Sequence, residues 1–191
     1  MPHVKRMIVT GKICDRLKKS DLSFIPGINL LIGPNGSGKS TIFQILSKRI
    51  KVGDTIYQDS RVTFDIDGQP KTFSFDFEKD SPRVKGRVDT GFDIASRWHS
   101  HGQSVAAIIA MVRSQEAKDH VMLMDEPEQA LDLENLKLLI SSLHASPATQ
   151  IILVTHSPFL IMQPDFHVVE MVDGYRGQVV TAVQQLTALM T

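Results

Sequence analysis

Apolar and polar positions along this chain follow two periods. Short stretches of period two or of unbroken apolar character predict strands: "KRMIVTG" (5–11), "LSFIPGINLLIG" (22–33), "VMLMD" (121–125) and "QIILVTH" (150–156). The second of these reads as one or two strands, with Pro26-Gly27 as the turn. The stretch "RVTFDIDGQPKTFSFDF" (61–77) alternates on both sides of Asp67-Gly68 and predicts a β-hairpin. "FHVVEMV" (166–172) and "GQVVTAV" (177–183), separated by "DGYRG", predict another. Helical spacing appears in "STIFQILSKRI" (40–50), in "SVAAIIAMVRSQEAKDH" (104–120) behind an N-capping Ser104, and in "LENLKLLISSLHA" (133–145). A further helix starts at "SPFLIM", with Ser157 as N-cap and Pro158 in its first position. The order is an antiparallel β part followed by β-α-β-α-β, which predicts a single α/β domain over 1–191 with a parallel core sheet flanked by helices. Met111, Met122, Met124 and Met162 read as core filler.

Composition narrows the function classes. In 191 residues, 21 Lys+Arg balance 21 Asp+Glu, so whole-chain charge gives no drive toward nucleic acid. The single cysteine, Cys14, excludes an intrachain disulfide and a cysteine-rich zinc site. The start "MPHVKRMIVTGK" lacks the apolar core of a secretory signal, and no apolar run approaches a membrane span, so the expectation is a cytoplasmic protein. Residues 78–97 are polar, with Pro82, Gly86 and Gly91, and read as a surface excursion. Its cluster "SPRVKGR" (81–87) reads as a solvated loop, with nucleic-acid phosphate contact as the alternative.

Chemistry concentrates in three places. "GPNGSGKS" (33–40) fits the G-x-x-x-x-G-K-[ST] phosphate loop, between an apolar strand and a helix. Gly33, Pro34, Asn35, Gly36, Ser37, Gly38, Lys39, Ser40 and Thr41 are the nucleotide-binding candidates. Backbone N–H groups would surround the phosphates, Lys39 would reach the β- and γ-phosphates, and the Ser40 hydroxyl would take a Mg²⁺ position. "VMLMDEPE" (121–128) places Asp125 and Glu126 at the end of a buried strand, where open α/β sheets bind ligands. Asp125 is the second metal candidate, for Mg²⁺; Glu126 is the base or orienter for an attacking water. Glu128 reads as standing outside direct contact with the nucleotide, with a partner contact left open. His156, at the end of the next strand, would share the same sheet edge and touch the γ-phosphate or the water.

Together these residues resemble the ABC-type ATPase family. "GPNGSGKS" looks like Walker A, "VMLMDEPE" like Walker B with its catalytic glutamate, "QALD" (129–132) like the D-loop with Asp132, and "VTHSP" like the switch-histidine loop. "HSHGQS" (99–104) stands where that family has its signature motif. The motif series is similar to that of small stand-alone ATPases with "SHGES", "DEPEAAL" and "THSP", related to the heads of chromosome-maintenance and recombination-repair ATPases. The resemblance implies ATP and Mg²⁺ as cofactors, ABC-head topology, and hydrolysis carried by Lys39, Glu126 and His156.

It further implies head-to-tail pairing, in which Ser100, His101, Gly102 and Gln103 of one chain face the nucleotide on Lys39 of the other. The sequence departs from the family at His99 and His101, which stand where a leucine and a glycine are usual. Gln58 is the Q-loop candidate, with Gln69 second. Residues 1–23 hold no Phe, Tyr or Trp to stack on adenine, so the base would lie against long side chains such as Lys12 or Arg16. The expected partner is a second identical chain or a related ATPase chain, joined in the presence of ATP, with an additional protein partner and with nucleic acid open. The function implied is a soluble ATP-driven switch or clamp in DNA repair or phage defence. The alternatives are the ATPase subunit of a membrane transporter and a non-catalytic ATP-dependent interaction module.

Overall fold

The computed structural model describes residues 1–50, 52–76, 108–129 and 131–190. They form two sheets. Strands β1 (His3–Gly11), β2 (Asp21–Ser23), β4 (Thr55–Tyr57) and β5 (Ser60–Asp67) make an antiparallel sheet in the order β2-β1-β5-β4. Strands β3 (Gly27–Ile32), β6 (Lys71–Asp76), β7 (His120–Asp125), β8 (Gln150–Val154) and β9 (His167–Glu170) make a five-stranded sheet in the order β6-β7-β8-β3-β9. Every pairing in the larger sheet is parallel.

Strands of a parallel sheet are covered on both faces, which explains their near-continuous apolar runs. Alternate residues divide between two cores. Leu31, Val121, Leu123, Ile152 and Val154 face helix α1 (Lys39–Arg49), through Ile42, Phe43, Ile45 and Leu46, and the antiparallel sheet, through Val4, Met7 and Val9. Leu30, Ile32, Met122, Met124, Ile151 and Leu153 face the other side. There they meet helical residues 108–113, α2 (Leu133–His144), α3 (Pro158–Ile161) and one stripe of α4 (Tyr175–Ala188). The α/β architecture expected from the sequence is present: a parallel core flanked by helices, with an antiparallel part that begins at the N-terminus.

The fully buried Gln150 joins the two sheets. In register β2 reaches only to Arg6 of β1, where β1 also carries a bulge against β5. The backbone of Val4 is served instead by Gln150, whose Oε1 accepts from Val4 N (3.0 Å) and whose Nε2 donates to Val4 O (2.9 Å) and Ile25 O (2.9 Å). Asn29 likewise fixes the Pro26-Gly27 turn, accepting from Ile25 N and donating to Ile25 O and Gly27 O.

Three local expectations fail, each for a physical reason. No hairpin spans 61–77: β5 has both edges filled, by β1 and β4, so β6 crosses to the larger sheet and pairs with β7 in parallel. No hairpin spans 166–183 either, because 175–188 is helical. The Glu170 carboxylate accepts from Gly174 N (2.9 Å) and Arg176 N (2.6 Å), satisfying N–H groups at the start of α4 and outweighing the β-propensity of Val179 and Val180. The helix expected to run to His120 stops at residue 113, where Ser114 turns extended and its hydroxyl accepts from Glu116 N. Ser104 lies outside the described residues. Of the four methionines assigned to the core, Met122 and Met124 are buried, Met111 is partly so, and Met162 is exposed.

Candidate nucleotide site

All five core strands run the same way, so their C-terminal ends share one edge. In register Asp76 of β6 lies beside Asp125 of β7, Asp125 beside Val154 of β8, and Val154 beside Leu31 of β3. The phosphate loop leaves β3, the acidic turn leaves β7 and the His156 loop leaves β8, so three stretches distant in sequence open at one level. This is the edge at which open α/β sheets bind ligands.

The loop between β3 and α1 is built for close approach. Gly38, just before α1, sits at φ +100°, a region costly for other residues, and a Cβ there would lie 2.4 Å from Leu17 Cδ2 and 3.3 Å from Arg16 O. The segment preceding β2 thus borders the loop, and Lys18 N donates to Ser37 O (3.1 Å). Arg16 therefore lies on the flank suggested for the base. Lys12, further back, pairs with Asp59 at 2.9 Å. Asn35, Gly36 and Ser40 are exposed, Pro34 and Thr41 are half-buried, and Gly33 and Ser37 are buried.

Lys39 is only 5% exposed, and its ammonium donates to Gly33 O (2.8 Å) and Pro34 O (3.1 Å). Burial lowers its pKa, while the charges of Glu126 and Asp125 pull it back up. A buried cation whose acceptors are neutral carbonyls of its own loop gains by meeting an anion. The donor set therefore fits a triphosphate: an ammonium, the N–H groups that open α1, and a glycine hollow.

Glu126 begins the turn after β7 at φ +48°, with its N–H on Val154 O (3.0 Å). A non-glycine residue held in that region is strained backbone, of the kind that clusters at functional sites. Its Oε2 accepts from Gln129 Nε2, and its Oε1 is 3.7 Å from His156 Nε2. The His156 pKa is pushed down by burial and by the Lys39 charge, and raised again by Glu126. Lys39, Asp125, Glu126 and His156 thus act on one another's charge, and the structure brings these four sequence candidates together. Ser40, at the start of α1, and Asp125, at the end of β7, open on the same edge of the sheet.

Other candidates stand elsewhere. Asp132 is the N-cap of α2, accepting from Asn135 N at 2.8 Å. Gln58 occupies the β4–β5 turn of the antiparallel sheet at φ +47°, and Gln69 lies between β5 and β6, at the opposite end of β6 from Asp76. Ser100, His101, Gly102 and Gln103 lie outside the described residues. Sequence reasoning missed Gln129, whose signal was its place three residues beyond Glu126, where a turn returns the chain on itself.

Comparison with known proteins gives the same outline. The sequence model of the family described as "AAA domain, putative AbiEii toxin, Type IV TA system" matches residues 28–100 and 88–162, a span that includes Lys39, Asp125, Glu126 and His156. Elongation factor 3 of Pneumocystis carinii is 30% identical over 145 residues, 68% of this chain and 14% of that protein. The zinc import ATP-binding protein ZnuC of Wigglesworthia glossinidia brevipalpis is 24% identical over 151 residues, 69% of this chain and 65% of ZnuC. The chain thus spans a small part of the first relative and under two thirds of the second. A crystal structure described as "putative Cobalt transport ATP-binding protein (cbiO-2)" shares the fold, with a TM-score of 0.52 at 19% identity over 90% of this chain and 77% of the other.

Proposed function

The chain belongs to this AAA-domain family of P-loop ATPases, and from that premise we propose that it binds Mg-ATP and hydrolyses it. The observation that carries the proposal is the convergence of Lys39, Asp125, Glu126 and His156 at one edge of the parallel sheet. Lys39 exchanges its two loop carbonyls for β- and γ-phosphate oxygens, and the N–H groups at the start of α1 hold the phosphate chain. Ser40 and Asp125 would hold Mg²⁺, which when bound would offset charge on the phosphates. Glu126 orients the attacking water and accepts its proton. His156, within reach of Glu126, contacts the γ-phosphate or that water. Breaking the bond between the γ-phosphorus and its bridging oxygen gives ADP and inorganic phosphate, the water oxygen ending on phosphorus.

The finer reading is an ATP-dependent head-to-tail dimer, in which Ser100, His101, Gly102 and Gln103 complete the site on the neighbouring chain. ATP that touches both chains stabilises the dimer by mass action, and hydrolysis weakens it. A soluble switch or clamp of this kind suits phage defence or DNA repair; the family description, with its toxin of a toxin–antitoxin system, supports the former more than the latter. Relatives named for metal import and transport keep a transporter ATPase subunit as the second reading.

The test is the solution mass of Glu126→Gln with and without Mg-ATP, beside turnover of the unaltered chain. Doubling of mass with ATP alone, abolished by Ser100→Arg, supports the shared site. A monomer with bound ATP refutes the homodimer, and bound ATP without phosphate release from the unaltered chain refutes hydrolysis.

A further inference from the structure

The turn that presents Glu126 also carries Glu128, and that carboxylate points into the protein rather than at the nucleotide edge. Its Oε1 accepts from Thr155 Oγ1, from His156 N (3.2 Å) and from Ser157 N (3.3 Å). Thr155 is fully buried, and its hydroxyl oxygen accepts a second bond from Ser157 N at 2.9 Å. One carboxylate oxygen thus gathers a hydroxyl and two backbone N–H groups of the His156 loop. The other, Oε2, is buried without a hydrogen-bond partner among the described residues. A carboxylate in that position is costly, and an apolar side chain would fill the space at lower cost. What an apolar side chain cannot do is bind three donors of the neighbouring loop.

We propose that Glu128 is a positioning residue, which fixes His156 relative to Glu126 by clamping residues 155–157 to the turn after β7 through the Thr155 hydroxyl and the His156 and Ser157 N–H groups. The argument rests on the distances above and on the shared turn. Glu126 N is bonded to Val154 O at 3.0 Å, directly before the clamped segment. The two loops are therefore tied twice, once by a backbone bond and once by the Glu128 carboxylate. The 3.7 Å separation of Glu126 Oε1 and His156 Nε2 is the outcome of that double tie. Without the carboxylate, the buried Thr155 hydroxyl and the His156 N–H lose their acceptor, Ser157 N keeps only Thr155 Oγ1, and the loop is released to rearrange.

The inference rests on the proposed hydrolysis for its kinetic consequence but not for its geometric one, so the test has two readouts. The first is the ¹H–¹³C resonance of the His156 ring in the full chain, assigned by its loss in His156→Ala. Glu128→Ala is expected to shift that resonance, and Glu128→Gln, which keeps an acceptor oxygen, to return it toward its original position. The second readout is ATP turnover. Glu128→Ala is expected to lower kcat about ten- to a hundredfold, the scale of misplacing a reacting group by an ångström, with KM for ATP nearly unchanged. Glu128→Gln should restore most of the loss. Glu128→Ala combined with His156→Ala should be no slower than His156→Ala alone, because the effect passes through His156.

An unmoved His156 resonance in folded Glu128→Ala overturns the clamp, as do independent, multiplying losses in the double variant. Should Glu128→Ala not fold, Thr155→Val removes one donor while keeping the carboxylate, and an unmoved resonance there overturns the clamp equally. A moved resonance in a chain that turns over no ATP leaves the clamp standing and refutes hydrolysis.

Discussion

Replacing Gln150 by alanine tests the joint between the two sheets. The side chain makes three hydrogen bonds, to Val4 N, Val4 O and Ile25 O, at 3.0, 2.9 and 2.9 Å. Ile25 O keeps Asn29 Nδ2 as a donor, at 2.7 Å, so the variant strands two groups rather than three. An unsatisfied buried backbone group costs about 1–3 kcal/mol, so Gln150→Ala should lose about 2–6 kcal/mol. For a chain of this length each kcal/mol lowers Tm by about 2–4 °C, which puts the expected fall at about 4–24 °C. Gln150→Leu separates the causes. It restores volume but neither bond, so it should lose nearly as much as alanine if hydrogen bonding is the reason for the loss. Gln150→Glu keeps an acceptor for Val4 N but sets a carboxylate against two carbonyl oxygens, and should be no better than alanine at neutral pH. The assay is equilibrium unfolding in urea, checked by calorimetry. A Gln150→Leu chain as stable as the original would refute the reasoning, since it would show the Val4 backbone groups satisfied without the amide.

Gly38→Ala forces a side chain into φ +100° and places its Cβ 2.4 Å from Leu17 Cδ2. Leu17 can turn aside but the backbone cannot, so stability should fall by about 1–3 kcal/mol in urea unfolding; an unchanged midpoint would show that the loop has room to relax. Glu128 predicts a pH dependence. Burial raises its folded pKa, against the bonds from Thr155, His156 and Ser157, which lower it. Unfolded, the group titrates near about 4.3. Below that value both states hold the proton. As pH rises through the folded pKa the unfolded state has already released it, so the contribution to stability is lost. Compared with Glu128→Gln, the original chain should therefore be less stable at pH 7 than at pH 4, as read from unfolding midpoints of both proteins at each pH. A difference independent of pH would show that the carboxyl titrates alike in the two states.

Legibility followed the range of the forces involved. The segments that leave β3, β7 and β8 at residues 33–40, at Glu126 and at His156 were readable as strand-end turns because each combines a local pattern with an adjoining apolar strand. Their convergence followed from parallel order alone. Strand partners were less readable. The alternation in 61–77 says that two strands exist but not that both edges of β5 are already occupied by β1 and β4. The region after β9 misled because β-branched Val179 and Val180 favour a strand locally, while Glu170, held at the end of β9, satisfies the N–H groups that start α4. Gln150 and Glu128 were illegible as joints for the same reason. Each acts on backbone far away in sequence, 146 residues for the Val4 bonds and 27–29 for the His156 loop, and no spacing rule describes such contacts.

These two residues also explain why β8 is suited to the centre of the site. Gln150 begins the strand and ties it to the antiparallel sheet; Val154 ends it and carries the bond to Glu126 N, next to the loop that Glu128 holds. At about 3.3 Å per residue the two attachments are separated by roughly 13 Å. Between them lie Ile151, Ile152 and Leu153, all buried and divided between the two cores. A close-packed strand of this kind does not bend to absorb a change at one end. The joint at Gln150 therefore bears on whether the domain holds together, and the clamp at Glu128 on where His156 stands. A chain of modest size can thus hold a histidine loop beside its phosphate-loop motif without loosening the sheet that carries it.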